Sequence, residues 1–151
     1  MPADRRLFFL LARAHRAVQA RANAELIAEL GVSGAQLGML YHVAKHPGCK
    51  MTDIAELFDL NKSAASSMVQ RLERAELLRR DASSRDGRVQ RLFVTDKGEA
   101  VRVRSLAYVR RMTAEITEGL SAAEVDAVFK FLNAIVDRYG DDPDDHEESE
   151  P

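Results

Sequence analysis

The chain has 151 residues, of which 46% are apolar and 30% charged, enough for one well-cored globular domain and too few for two ordinary ones. No apolar run approaches the roughly 20 residues of a membrane span, and LFFLLA near the N-terminus lacks the cleavage site of a signal peptide, so no membrane is expected among its partners. A single cysteine excludes an intramolecular disulfide and fits a reducing, cytoplasmic setting. The net charge of −2 is unevenly spread: residues 140–151 hold seven acids and no Lys or Arg, leaving +5 on the rest, and residues 62–91 hold eight basic residues against four acids. A near-neutral balance therefore does not exclude a polyanionic partner.

Residues 5–30 read as one long helix. Leu7, Leu11, Ala14, Val18, Ala22 and Leu26 recur at spacings of three and four, widened by Phe8, Leu10 and Ile27. A rod of about 39 Å with so many large apolar groups at its N-terminal end needs a partner beyond its own lobe, and reads as a subunit-interface element. Gly31 stops it. Ser33 and Gln36 form a capping-box pattern opening a helix to about Lys45, with Leu37, Leu40, Tyr41 and Val43 or Ala44 inward. His46-Pro47-Gly48 ends it. Thr52 is expected to cap a short helix over 53–58, and Asp59-Leu60-Asn61-Lys62 makes a tight connection to the next.

That next helix, within LNKSAASSMVQRLERAEL, has two unlike faces. Ala64, Ala65, Met68, Val69 and Leu72 form an apolar stripe. Opposite lie Ser63, Ser66, Ser67, Gln70 and Arg74, flanked by Lys62 and Arg71, with Asn61 suited to the N-cap and Glu73 only at the edge. Short hydroxyls, an amide and guanidiniums on one face suit a helix lying in a DNA major groove. Two short helices so joined have the organisation of a helix-turn-helix. Residues 77–80 and 89–94 then read as a hairpin around the loop DASSRDGR, with Arg85 and Arg88 at its tip. Residues from Thr95 to about Glu118 form a long helix with Val101, Val103, Leu106, Val109, Met112 and Ile116 apolar, stopped by Gly119. Ser121 and Glu124 make a second capping box, opening a last helix with Val125, Phe129, Leu132, Ile135, Val136 and Tyr139 on one face, closed by Gly140. The acidic tail 140–151 is expected to be disordered.

The fold class that follows is mainly α with a small β wing, a winged helix-turn-helix lobe at about 33–95 between helices at about 5–30 and 96–139. This order coincides with MTDIAELFDLNKSAASSMVQRLERAELLRR and SSRDGRVQRLFVTDKG, which resemble the DNA-binding lobe of the MarR family of transcriptional regulators. The most specific piece is Asp86-x-Arg88 followed by hydrophobic residues, Thr95 and Gly98, and the resemblance covers residues 1–139 as one domain. It implies a homodimer with first, fifth and sixth helices interlocked, and two winged lobes spaced for a palindromic operator in double-stranded DNA. By the resemblance Arg88 enters the minor groove with Asp86 holding the wing, and Ser63, Ser66, Ser67, Gln70 and Arg71 meet bases and phosphates. Two departures stand out: Glu76 occupies a position where the family usually has glycine, and Val94-Thr95 replaces Leu-Thr.

On physical grounds Lys62, Arg74, Arg79, Arg80 and Arg85 would add salt-dependent phosphate contacts, and Arg88→Ala is expected to cost about 1–3 kcal/mol of operator binding while sparing the dimer. The resemblance further implies a small effector, often an aromatic acid or phenol, between dimer base and lobe. Placement on the first two helices makes Phe8, Leu11, His15, Arg16, Tyr41 and His42 its candidate lining. Cys49 reads as an incidental loop thiol. His42 and His46 have the i, i+4 spacing of half a metal site, but with no third ligand they read as a polar helix face, and no metal, cofactor or enzymatic motif is expected. A repressor released by a ligand is the leading reading. Its alternatives are a helical dimer serving as a protein-interaction module, and an architectural DNA binder without effector.

Overall fold

The computed structural model describes residues 5–82 and 89–140. Six helices and three short strands follow in the order α1 (Leu7–Leu30), α2 (Gly34–Lys45), β1 (Cys49–Lys50), α3 (Met51–Leu57), α4 (Lys62–Arg74), β2 (Leu78–Ala82), β3 (Gln90–Val94), α5 (Asp96–Ile116) and α6 (Ala122–Tyr139). The mainly helical class with a small β wing holds.

Local chemistry accounts for most of the element boundaries. α1 starts at Leu7 rather than Arg5, because Arg6 supplies no side-chain cap, and ends where Gly31 (φ 72°) sends its N–H back to the Ile27 carbonyl. The capping box at α2 is complete, the Gln36 N–H donating to Ser33 Oγ at 3.2 Å and the Ser33 N–H to Gln36 Oε1 at 2.9 Å. A further acceptor comes from outside the helix: Asn23 of α1 takes the Gly34 N–H at 2.7 Å, tying α1 to α2. Thr52 is not the cap of α3. That helix starts at Met51 because Asp53 reaches back to the Lys50 N–H at 2.7 Å, while Cys49 and Lys50 are already held in β1.

Both helices of the helix-turn-helix end on a left-handed residue that is not glycine. At Asp59 (φ 48°) the bonds are Leu60 N–H to Ala55 O and Asp59 N–H to Glu56 O; at Glu76 (φ 60°) they are Leu77 N–H to Leu72 O and Glu76 N–H to Glu73 O. Each pair is a Schellman arrangement, and buried Leu72 and Leu77 supply the apolar contact that accompanies the second. Glu76 thus adopts the strained conformation that a glycine would take freely, held there by its neighbours.

The hairpin is part of a three-stranded antiparallel sheet, ordered β1-β3-β2. Cys49 pairs with Leu92, and Leu78, Arg80 and Ala82 pair with Val94, Leu92 and Gln90. Two corrections follow: β1 supplies a third strand that residues 47–52 do not signal, and β2 continues to Ala82, taking Asp81 and Ala82 from the expected loop. The core lies among α2, α3, α4, the sheet and one face of α5, with Met39, Leu40, Val43, Ile54, Val69, Leu72 and Leu92 fully buried.

α5 docks on this core through Gly98, Val101, Ser105, Tyr108 and Met112. Val103, Leu106, Val109 and Ile116, four of the six residues expected to be apolar along this helix, remain exposed. α1 gives up only Leu26 to full burial, and α6 has no buried residue. In consequence, among the described residues, every large exposed hydrophobic residue except Leu57 lies on α1, α5, α6 or the turn before α6.

Candidate nucleic-acid interface

The exposed side of α4 is built by its cap and its stripe. Asn61 Oδ1 accepts the Ala64 N–H at 2.8 Å, fixing the first turn. Ala65, Val69 and Leu72 are buried, with Ala64 and Met68 half-buried beside them, and this turns the other side to solvent. Lys62, Ser63, Ser67, Gln70, Arg71 and Arg74 are exposed along it, and Ser66 is half-buried. Lys62, Arg71 and Arg74 form no ion pair among the described residues. Their charge is thus available to a polyanion, and the hydroxyls and amide between them can donate to or accept from base edges.

The two arginines that open the hairpin part company. Arg79 and Arg80 are consecutive in a strand, so they face opposite sides. Arg79 is outward, its guanidinium 4.4 Å from the Phe93 ring centre and paired with Asp81. Arg80 is on the side that carries Leu78 into the core, where it grips Glu73 with two bonds (Nε–Oε1 2.9 Å, Nη2–Oε2 2.7 Å) and donates to Gln90 Oε1 at 2.7 Å. Arg80 is therefore not an unengaged phosphate ligand. Strand alternation in the sequence carried the signal that separates it from Arg79. Arg85, Asp86 and Arg88, expected at the tip of the wing, lie outside the described residues, as does the tail.

Thr95 and Gly98 have a structural role. Thr95 Oγ1 accepts the Gly98 N–H at 3.0 Å and donates to the Glu76 carbonyl at 2.5 Å, while the Thr95 N–H donates to the Leu77 carbonyl. A Cβ on Gly98 would stand 2.1 Å from that carbonyl oxygen. The residues most specific to the pattern after the wing are thus those that let α5 touch the end of α4.

Residues 30–89 match the MarR family. Over 109 residues, 68% of this chain and 70% of the relative, the sequence is 35% identical to the HTH-type transcriptional repressor MdtR of Bacillus subtilis (strain 168). The chain belongs to the MarR family. Its fold is similar to that of the transcriptional regulator SlyA, with a TM-score of 0.76 and 22% identity over 92% of this chain and 97% of the other. It is also similar to Streptococcus pneumoniae FabT, solved in complex with DNA, with a TM-score of 0.73 and 19% identity over 88% and 94%. As a MarR-family transcriptional regulator it has the winged helix-turn-helix that its residues pointed to.

The candidate effector residues do not form one group. A shallow cavity of about 480 Å³ between α2 and α5 is lined by Tyr41, His42, Ala44, Lys45, Glu99 and Arg102. Phe8, Leu11, His15 and Arg16 are not in it, because the residues of α1 that pack on the core are Ala22, Leu26 and Leu30, farther along the helix. Tyr41 shares a 2.9 Å hydrogen bond with buried Ser105, and Arg102 lies against its ring while paired with Glu99. Burial, then the neighbouring His46 ring 4.8 Å away, hold the His42 pKa below its ordinary value. No group of three potential metal ligands is present among the described residues. Cys49 is buried in β1 rather than in a loop, and burial first, then Asp53, push its thiol up to about 11. No helix among the described residues is long and apolar enough to cross a membrane.

Proposed function

We propose that the chain is a homodimeric, sequence-specific DNA-binding repressor whose α4 enters the major groove of a palindromic operator. The observation that carries this is the solvent face of α4, where Lys62, Arg71 and Arg74 flank Ser63, Ser67 and Gln70 with no acid among them. Arg79, Arg85 and Arg88 add positive charge along the hairpin, and Arg88 reads the adjacent minor groove.

The exposed apolar surface of α1, α5 and α6 supports the dimer. Leu7, Phe8, Phe9, Leu106, Phe129 and Val136 are each more than a third exposed in the isolated chain, and large apolar groups left in water in such number mark an interaction surface. Two copies sharing these helices as a base would hold their α4 helices about one turn of B-DNA apart, roughly 34–36 Å. A small ligand binding between base and lobe would act through its differential affinity for the two helix spacings. The cavity that includes Tyr41, His42 and Arg102 is the part of that site which one chain provides.

The test is a gel shift against the DNA upstream of the chain's own gene, at two salt concentrations and with unrelated competitor. The expected result is a shift that weakens steeply with salt and survives competitor. No shift at low salt refutes DNA binding, and loss of the shift to competitor refutes sequence specificity.

A further inference from the structure

The recognition helix and the wing are joined by a side-chain clamp on the rim of the core. Glu73 is in the last turn of α4 and Arg80 is the third residue of β2. Between them the chain reverses through the left-handed Glu76, with Leu72, Leu77 and Leu78 buried beneath. Two planar groups meeting through two parallel bonds of 2.9 and 2.7 Å admit essentially one relative orientation, unlike a single-point ion pair. The side chains retain only 21% and 28% of their exposure, so solvent screens them less than the exposed pairs Arg21–Glu115, Arg79–Asp81 and Lys97–Glu76. The third arm, to Gln90, reaches β3 at the residue where the wing returns. One guanidinium therefore spans the helix and both strands of the hairpin.

We propose that Glu73 and Arg80 are positioning residues that fix the angle between recognition helix and wing, with Arg80 serving DNA binding by holding Glu73 and Gln90 rather than by touching a phosphate. This rests on the DNA-binding reading above and adds the device that makes α4 and the wing act as one rigid head. Glu73 has a second consequence. A carboxylate at the edge of a DNA-facing helix repels phosphate, so on charge alone its removal should tighten binding; as one jaw of the clamp, its removal should weaken it. The two accounts differ in sign.

The test uses the full-length protein and an operator it binds, with Glu73→Gln, Arg80→Gln, Arg80→Lys and the swapped pair Glu73→Arg with Arg80→Glu. Circular dichroism first establishes that each variant is folded at the assay temperature. Glu73→Gln is expected to weaken operator binding by about 10-fold, and Arg80→Lys to do nearly the same, because an ammonium keeps the charge and loses the fork. The slope of log affinity against log salt should stay that of the wild type in Arg80→Gln, whereas a lost phosphate contact would reduce it by about 0.9. Recovery of most of the affinity in the swapped pair supports the clamp. Binding by Glu73→Gln equal to or tighter than wild type, or a reduced salt slope in Arg80→Gln, overturns it while leaving the parent reading intact. A wild-type protein that shifts no DNA overturns both.

Discussion

The contact between α5 and the end of the recognition helix makes a sharp prediction at Gly98. An alanine there places a Cβ 2.1 Å from the Leu77 carbonyl oxygen and 2.8 Å from Val94 Cγ1. Neither neighbour is free to swing away: the first is backbone holding the Thr95 N–H at 3.1 Å, and the second is packed on the core. Reaching an ordinary contact distance requires α5 to back off by roughly 1 Å. Overpacking of this kind costs about 1–3 kcal/mol, and the threatened Thr95–Leu77 bond adds about 1 kcal/mol. Against this, alanine is favoured over glycine in a helix by about 1 kcal/mol. The net expectation is a loss of about 2 kcal/mol, or a fall in Tm of about 4–8 °C for a chain of this size. Thermal unfolding followed by circular dichroism measures it. Gly38→Ala in α2 is the control, since its Cβ would meet Phe58 at an acceptable 3.4 Å. Gly98→Ala melting at or above the Gly38→Ala protein would refute the packing argument.

Glu76→Gly removes left-handed strain at a position where the exposed ion pair with Lys97 contributes little, and should stabilise the chain by about 1 kcal/mol in urea unfolding; an unchanged midpoint would count against the strain. Leu106→Arg places a charge on the outward apolar face of α5 and should convert a dimer to a monomer in analytical ultracentrifugation without loss of helix content; a persisting dimer would move the interface elsewhere. Cys49, with its thiol raised from 9.0 to about 11, holds its proton more tightly when folded than unfolded. Its contribution to stability is therefore complete below about pH 9 and is lost as pH rises toward 11, which alkaline denaturation should show as a loss reduced in Cys49→Ala. By the same burial, a thiol reagent at neutral pH should modify the folded protein far more slowly than the unfolded one.

The legible part of the molecule was local. Capping boxes at Ser33 and Ser121, the Asn61 cap and the glycine stop at Gly31 are decided within a turn of helix, and each is present as its sequence requires. The division of α4 into a buried stripe and a polar face was likewise readable, because helical periodicity relates neighbours three and four apart. β1 was not readable: two residues have no period, and they form a strand only because Leu92 and Arg91 lie alongside. The grouping of Tyr41 and His42 with Glu99 and Arg102, rather than with α1, also depends on the contact of elements distant in the chain.

α5 divides the two contributions most clearly. Its sequence determined that a helix runs there and that it is apolar on more than one side. Only the tertiary structure decided that Gly98, Ser105 and Tyr108 join Val101 and Met112 against the lobe while Val103, Leu106, Val109 and Ile116 are left outward. The physical reason is that periodicity says which residues share a face and is silent on what that face meets. The lobe and the end of α1 select the face that gives a close approach at Gly98, a partner for the Ser105 hydroxyl on Tyr41 and one for the Tyr108 hydroxyl on Glu25. The same holds at Arg80, whose charge is plain in the sequence and whose role is set by Glu73, seven residues earlier and a chain reversal away.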